Sequence, residues 1–320
     1  MLNVCQVSLA RDIPIILENY HCFKKFYKSF KIFIICPSNQ IKEFKEKLNF
    51  KEFHFLNEDT IISFQEFNTV FEEQSILKNY QSLFRERLGW YYQQVLKLSF
   101  ILDFVEINRE EIIIWDADTV ILKKINFFKN GKSIKYGTLF EFHKHYFKTN
   151  KSIIGNHPKY FISFLVQFIG LSIHEYNFFK KNTLKIVRTD NTSKISILLA
   201  KLILKNIFKT HELYNGSLFS EYELIGISNY MFKKEKQKAL FTLRGGLNGK
   251  LTKSQLILAK IFNVKHVTYE HSYSNKNNQG MLGREQSWIA FIKLLIKGYL
   301  KFNLRNLKHN FYFYYNLINE

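Results

Sequence analysis

Two aspartates one residue apart, Asp116 and Asp118, follow the run Ile112-Ile113-Ile114-Trp115 and precede Thr119-Val120-Ile121-Leu122. Apolar residues on both sides read as a buried strand, which predicts both carboxylates on one side of an extended backbone at the strand's carboxyl end. Open α/β sheets bind ligands there. Two carboxylates this close repel unless a divalent cation neutralises them, and a hard cation on one or two carboxylates completes its shell with water and substrate phosphate. The chemistry expected of the pair is metal-assisted work on a diphosphate. The plainer alternative is a turn with two solvated acids. Aspartate is scarce beyond this point, Asp190 being the only later one.

Other residue types in reach of phosphate chemistry lie before and after the pair. In Leu88-Gly89-Trp90-Tyr91-Tyr92-Gln93-Gln94-Val95-Leu96-Lys97, a helix would bring Gln93 or Gln94 and Lys97 to one face, an amide and an ammonium aimed at one anion. Downstream, Ser220-Glu221-Tyr222-Glu223 fits a helix capping box of Ser220 with Glu223. That would leave Glu221 exposed in the first turn as a base for a substrate hydroxyl. Arg244, before Gly245-Gly246, is a guanidinium beside a turn that suits phosphate, and His271 follows a strand-like stretch from Val264 to Tyr269. An ordinary surface histidine is the competing reading of His271.

The elements that must hold these groups alternate. Val4–Leu9 reads as a strand, Ile13–Tyr27 as a helix with Pro14 in its first turn, and Lys31–Cys36 as a second strand closed by Pro37. Ile41–Leu48 reads as a short helix, Glu52–Leu56 as a strand, and Tyr91–Phe104 as a helix leading into Ile112–Trp115. Strand–helix alternation predicts a mostly parallel sheet with helices on both faces. Further on, Asn191–Lys209 has helical spacing, and a helix starting near Gln286 carries Lys293, Lys297, Lys301, Arg305 and Lys308 beside aromatic and aliphatic residues. Such a helix suits anionic lipid or, alternatively, packing on its own domain.

Composition bounds the rest. In 320 residues, an apolar fraction of 46% with 33 phenylalanines supplies a sizeable core. With 47 Lys+Arg against 27 Asp+Glu, the net charge of +20 favours anionic partners. The lysines are dispersed rather than gathered in a motif, and nucleic-acid binding would leave the strand-end acids unexplained. Cys5, Cys22 and Cys36 lack metal-ligand spacing and read as reduced buried thiols. No signal-peptide pattern and no uncharged span of membrane length are visible, which predicts a soluble or peripheral cytoplasmic protein.

Taken together, Val7-Ser8 with Asp12, Ile35-Cys36-Pro37, Gly89 to Tyr91 with Gln94 and Lys97, Trp115 to Thr119, and Ser220 to Leu224 with Gly226 give the chain a family likeness over about its first 230 residues. It resembles bacterial glycosyltransferase-like proteins of the GT-A fold with a D-x-D motif. The resemblance implies an α/β, Rossmann-type, mostly parallel sheet flanked by helices, taken to span residues 1–280; it is silent on the tail, which the residues themselves mark as a basic amphipathic helical segment over 281–320. It implies that Asp118 binds manganese or magnesium on a nucleotide-sugar diphosphate. Asp116 would face the metal or the ribose, and Asp12 and Lys97 would line the donor pocket; Ser8, Gln94 and Trp115 from the same motifs, and Arg244 from its own guanidinium, are expected to contact the donor beside them. GT-A enzymes often add a metal-binding histidine, and His271 is the one placed for it.

The implied activity is transfer of a sugar from a nucleotide-diphosphate donor to a cell-surface glycan, such as a lipooligosaccharide or capsule. Asp118 and Glu221 would be catalytic, and the enzyme would sit on the inner face of the cytoplasmic membrane. Charge appearing on the departing nucleoside diphosphate is what a metal and Lys97 would stabilise. Two alternatives stand beside this reading. Asp116-x-Asp118-x-Val120 also matches the nucleophile motif of haloacid-dehalogenase-type phosphatases, although no later aspartate pair follows to complete their magnesium site. The charge also suits a non-enzymatic protein that binds nucleic acid or a membrane surface.

Overall fold

The computed structural model describes residues 1–75, 87–137, 143–155, 163–184, 194–210, 217–232, 238–244, 247, 249–269 and 285–304, the last four by backbone only. The chain opens with β1 (Leu2–Val7), α1 (Ile13–Phe26), β2 (Phe30–Cys36), α2 (Ile41–Lys47) and β3 (Phe53–Asn57). Helices α3 (Phe64–Ser75) and α4 (Leu88–Asn108) then lead into β4 (Ile112–Trp115) and β5 (Thr119–Ile121). Short strands β6 (Phe128–Lys129), β7 (Lys132–Ser133) and β8 (Tyr136–Gly137) precede α5 (Lys144–Ile154), β9 (Phe168–Leu171) and α6 (Ile173–Phe178). Next come α7 (Ile195–Thr210), α8 (Glu221–Phe232), β10 (Lys238–Ala239), α9 (Lys253–Ile261), β11 (His266–Thr268) and α10 (Trp288–Leu304).

The central sheet has five strands in the order β3-β2-β1-β4-β9. Its first three pairings are parallel, and β9 closes the edge antiparallel to β4. This is the mixed α/β architecture the alternating pattern predicts. The apolar strands are explained by helices on both faces. Cys5 and Val7 face one cluster with Ile112 and Ile114 under α4, α7 and α8, while Val4, Ile113 and Trp115 face the other with Tyr20 and Phe23 of α1. Helix α1 carries its proline in the first turn, where a missing N–H costs nothing.

The order of strands sets the location of the site. From β1 the chain builds outward to β2 and β3, then returns to lay β4 on the other side of β1. The carboxyl ends of β1 and β4 therefore flank the point where the winding reverses, the usual crevice of open α/β sheets.

A third cluster, with Phe291 and Leu295 of α10, Ala259 of α9 and Val267 of β11, packs beside this frame. Helix α10 is thus seated on the protein through one of its faces. No helix among the described residues is long and apolar enough to cross a membrane. The cysteines are free, with Cys5 and Cys36 buried and Cys22 half-buried.

Candidate active site at the carboxyl end of the sheet

Strand β4 stops at Trp115 and β5 starts at Thr119, so the two acids do not share an extended strand as expected. They occupy a turn in which Thr119 N–H bonds to Asp116 O at 3.1 Å, which separates their surroundings. The Trp115 indole N–H donates to Thr119 O at 2.8 Å and clasps this turn from below. With its ring wholly buried against Phe23 and Phe168, Trp115 is a wall of the core rather than the donor contact expected.

Asp116 points into a polar cluster. Its Oδ1 accepts from Lys97 Nζ at 2.6 Å and from the Tyr222 hydroxyl at 2.5 Å, and its Oδ2 accepts from Gln167 Nε2 at 3.1 Å. Lys97 reaches in from α4 and also donates to Glu221 Oε1 at 2.9 Å. Its side chain is 4% exposed, and that of Glu221 is 2% exposed. Burial alone would lower the Lys97 pKa, but the Asp116 and Glu221 carboxylates outweigh it and raise it, so the ammonium persists. Burial pushes the Glu221 carboxyl up, with Lys97 pulling the other way. The Tyr222 hydroxyl is driven well above its usual value by burial and then by Asp116, so it stays protonated and donates.

These placements revise three expectations. Glu221 is not an exposed base in a first helical turn; it lies under Lys97 inside the protein. The capping box forms only on one side: Glu223 N–H bonds to Ser220 Oγ at 3.4 Å, while the Glu223 carboxylate accepts from Ser163 Oγ and from Phe164 N–H. Gln94 is 1% exposed and its Oε1 accepts the Glu221 N–H at 3.0 Å, so it holds the start of α8 instead of facing a ligand. Its neighbour Gln93 donates to Val7 O at 3.3 Å, tying α4 to the end of β1.

Ser8 and Asp12 lie just past β1, on the same edge of the sheet. Ser8 Oγ and Leu9 N–H both donate to Asp12 Oδ2 at 3.1 Å, and both Ser8 and Asp12 are buried. They close the β1–α1 turn at the crevice. Arg244 completes the cluster from the other direction, donating through Nη1 to Gln167 Oε1 at 2.8 Å.

Gln167 is therefore a bridge between Arg244 and Asp116. It holds a left-handed backbone, with φ 61°, at the entry to β9, and its carbonyl accepts Asp116 N–H at 3.0 Å. Neither Gln167 nor Tyr222 is singled out by sequence reasoning. The only signal for Gln167 is a polar residue interrupting the apolar run from Tyr160 to Ile173.

Asp118 lies beside this network, near enough that its charge adds to the rise in the Tyr222 pKa. It is half-buried at the turn, its Oδ1 accepts from Thr119 Oγ1 at 3.2 Å, and its backbone carbonyl accepts Tyr269 N–H at 2.8 Å next to β11. His271, the expected histidine ligand, lies outside the described residues.

The donor set decides how a divalent cation fits. Asp116 Oδ1 is filled by Lys97 and Tyr222, whereas Oδ2 accepts only from Gln167, so the single place left for a cation on Asp116 is the second lone pair of Oδ2. Asp118 fits: one carboxylate at a turn, completed by diphosphate oxygens and water, is a normal setting for a small hard cation. Charge agrees, because Asp116 and Glu221 share the single Lys97 ammonium and Asp118 adds a third carboxylate beside them. A diphosphate approaching this excess of negative charge needs a cation with it.

Residues 12–239 match the profile of a family described as "Family of unknown function (DUF6492)". No curated protein matches the chain. Among solved structures, the chain is similar to one described as the crystal structure of the galactosyltransferase LgtC in complex with donor and acceptor sugar analogs. The likeness covers 92% of this chain and 96% of that one, at 8% identity and a TM-score of 0.40.

Proposed function

The chain belongs to this family of unknown function, DUF6492, and we propose that it is a glycosyltransferase of GT-A type, moving a sugar from a nucleotide-diphosphate donor to a cell-surface glycan. The observation that carries the reading is the Lys97–Asp116–Glu221 cluster, with Lys97 and Glu221 buried, set beside a second half-buried carboxylate, Asp118, at the winding-reversal point of the sheet.

In this reading Asp118 holds manganese or magnesium against the donor diphosphate. When bound, that ion would neutralise the charge that develops on the leaving nucleoside diphosphate. Arg244 lies beside the same crevice and suits phosphate oxygens. Lys97 and Glu221 act from beneath: the ammonium fixes Asp116, Tyr222 and Glu221 in one arrangement, so that the floor needs no reorganisation as the sugar–phosphate bond breaks. The Ser8–Asp12 turn shapes the adjoining edge of the crevice. The phosphatase alternative asks Asp116 to attack phosphorus, yet its carboxylate is committed to Lys97, Tyr222 and Gln167.

The test is a thermal-shift screen of the full chain against nucleoside diphosphates with manganese, with magnesium and with chelator, followed by assay of donor hydrolysis. Stabilisation only when metal and a diphosphate are both present supports the reading. Equal stabilisation in chelator, or unchanged metal-dependent hydrolysis in Asp118→Ala, rejects it.

A further inference from the structure

Helix α10 carries apolar residues on the side it turns away from the protein. Phe291, Leu295 and Gly298 are buried, and Gly298 packs so close to the Phe241 ring that an added Cβ would meet it at 2.7 Å. At about 100° per residue, Ile289, Lys293, Ile296 and Leu300 form one stripe opposite that seam. All four are exposed, Ile289 at 71% and Leu300 at 53%. A helix docked on a core normally turns polar residues to water, so an outward stripe of Ile and Leu is unexplained by the fold.

Helix α9 repeats the arrangement. Gln255 and Ala259 are buried, while Lys253, Ile257 and Ile261 follow one another at four-residue spacing on the exposed side. The two helices touch where the Phe262 ring, just past the end of α9, lies 5.5 Å from Tyr299 of α10. Of the 11 large apolar side chains exposed among the described residues, Ile257, Ile261, Trp288, Ile289, Ile296, Tyr299 and Leu300 belong to these two helices. Single exposed apolar residues are ordinary, but such concentration on two touching helices marks an interaction surface.

Charge selects the occupant. Neither helix contains an acidic residue, and the only charged groups on them are lysines. A second copy of the chain would set Lys293 and Lys297 against their own equivalents in a two-fold contact. An anionic lipid surface accepts both features together: aliphatic side chains enter the acyl boundary and lysine stems extend their ammonium groups to the headgroups. We infer that the outward face of α9 and α10 is the surface by which this protein docks on an anionic membrane. This stands on the two helices alone and does not depend on the activity proposed for the site. The same unit is bonded to the acidic turn through Tyr269 and Asp118, so docking would orient the crevice relative to the lipid plane.

The test uses the full chain in flotation assays with vesicles of phosphatidylcholine alone and of phosphatidylcholine containing one-third phosphatidylglycerol. Wild type is expected to float with the anionic vesicles and not with the neutral ones, less so in high salt. Ile296→Glu with Leu300→Glu should cut that partition by about tenfold or more. Lys293→Gln with Lys297→Gln should remove most of the salt-sensitive part. Ile107→Glu, at a site 78% exposed on α4, is the control for loss of surface hydrophobicity elsewhere and should float like wild type. Circular dichroism and melting curves verify that each variant is folded. Wild type that floats with neither vesicle overturns the inference, as does an Ile296→Glu/Leu300→Glu variant that floats like wild type. So does a wild-type dimer, seen by sedimentation, that these substitutions dissociate while vesicle binding is absent.

Discussion

Lys97 and Asp116 meet at 2.6 Å between the middle of α4 and the end of β4, and the lysine side chain in that pair is only 4% exposed. The helix and the strand it leads into are thereby locked to each other at the crevice. Because Glu221 shares the same ammonium at 2.9 Å, the pair is one edge of a triangle with more negative than positive charge.

Lys97→Met leaves the buried Glu221 and the half-buried Asp116 carboxylates without their cation, which is the costly way to break a buried ion pair, at about 3–5 kcal/mol. Urea unfolding should show a loss of that order. Lys97→Met combined with Glu221→Gln should regain part of the stability, since one orphaned charge is gone, but none of the turnover. A Lys97→Met protein as stable as wild type would show that the cluster is not charged as described.

Much of the frame was legible in sequence because it is written locally. The β1 to β4 strands are apolar runs, and Pro14 and Pro37 mark their neighbours, so strands and helices fell close to their observed bounds. The site was legible only in part. Asp116, Lys97 and Glu221 were each identifiable as chemistry-bearing residues, but their contacts span sequence separations of 19 and 124 residues. Local patterning made Glu221 look like the exposed member of a helix start. Nothing local says that Lys97 will come to lie above it and bury it. Gln167 was invisible for a related reason: its importance comes from a left-handed backbone and from two partners, Asp116 and Arg244, that reach it only in the folded chain.

Gly226 offers a test of packing behind the site. A methyl at this position in α8 would meet Phe164 Cγ at 2.2 Å, and Phe164 N–H is itself bonded to Glu223 at 3.0 Å. Gly→Ala inside a helix ordinarily stabilises by up to about 1 kcal/mol. Here the overpacking should reverse the sign and cost about 1–3 kcal/mol. Gly226→Ala with Phe164→Leu should recover part of it. A raised melting temperature for Gly226→Ala alone would refute the contact.

Stability should fall in mild acid through His266. Its imidazole is buried beside Trp115 and Phe168, with ring centroids 5.9 and 6.0 Å away, and burial lowers its pKa from 6.5 to about 3. Below pH 6.5 the unfolded chain takes up a proton that the folded chain refuses, so stability is lost as pH falls toward 3 and is retained above neutrality. Between pH 7 and pH 5 the loss from this one group is about 2 kcal/mol. His266→Phe, which keeps an aromatic ring among aromatic rings, should flatten that part of the unfolding profile measured by denaturant titration at each pH. An unchanged slope would assign the acid sensitivity elsewhere.

The two aspartates should separate by what their loss changes. Asp116 accepts three protein hydrogen bonds, so Asp116→Asn weakens the Lys97 and Tyr222 contacts and should lower stability by about 1–3 kcal/mol. Asp118 is half-buried at the turn, and Asp118→Asn should leave the melting temperature near wild type while raising the metal concentration needed for half-maximal donor hydrolysis by about tenfold or more. Metal titrations of both variants, run beside their melting curves, read the division directly. If Asp116→Asn shifts the metal requirement as far as Asp118→Asn does and leaves stability intact, then Asp116 joins the cation when substrate binds, and the anchoring role assigned to it is wrong.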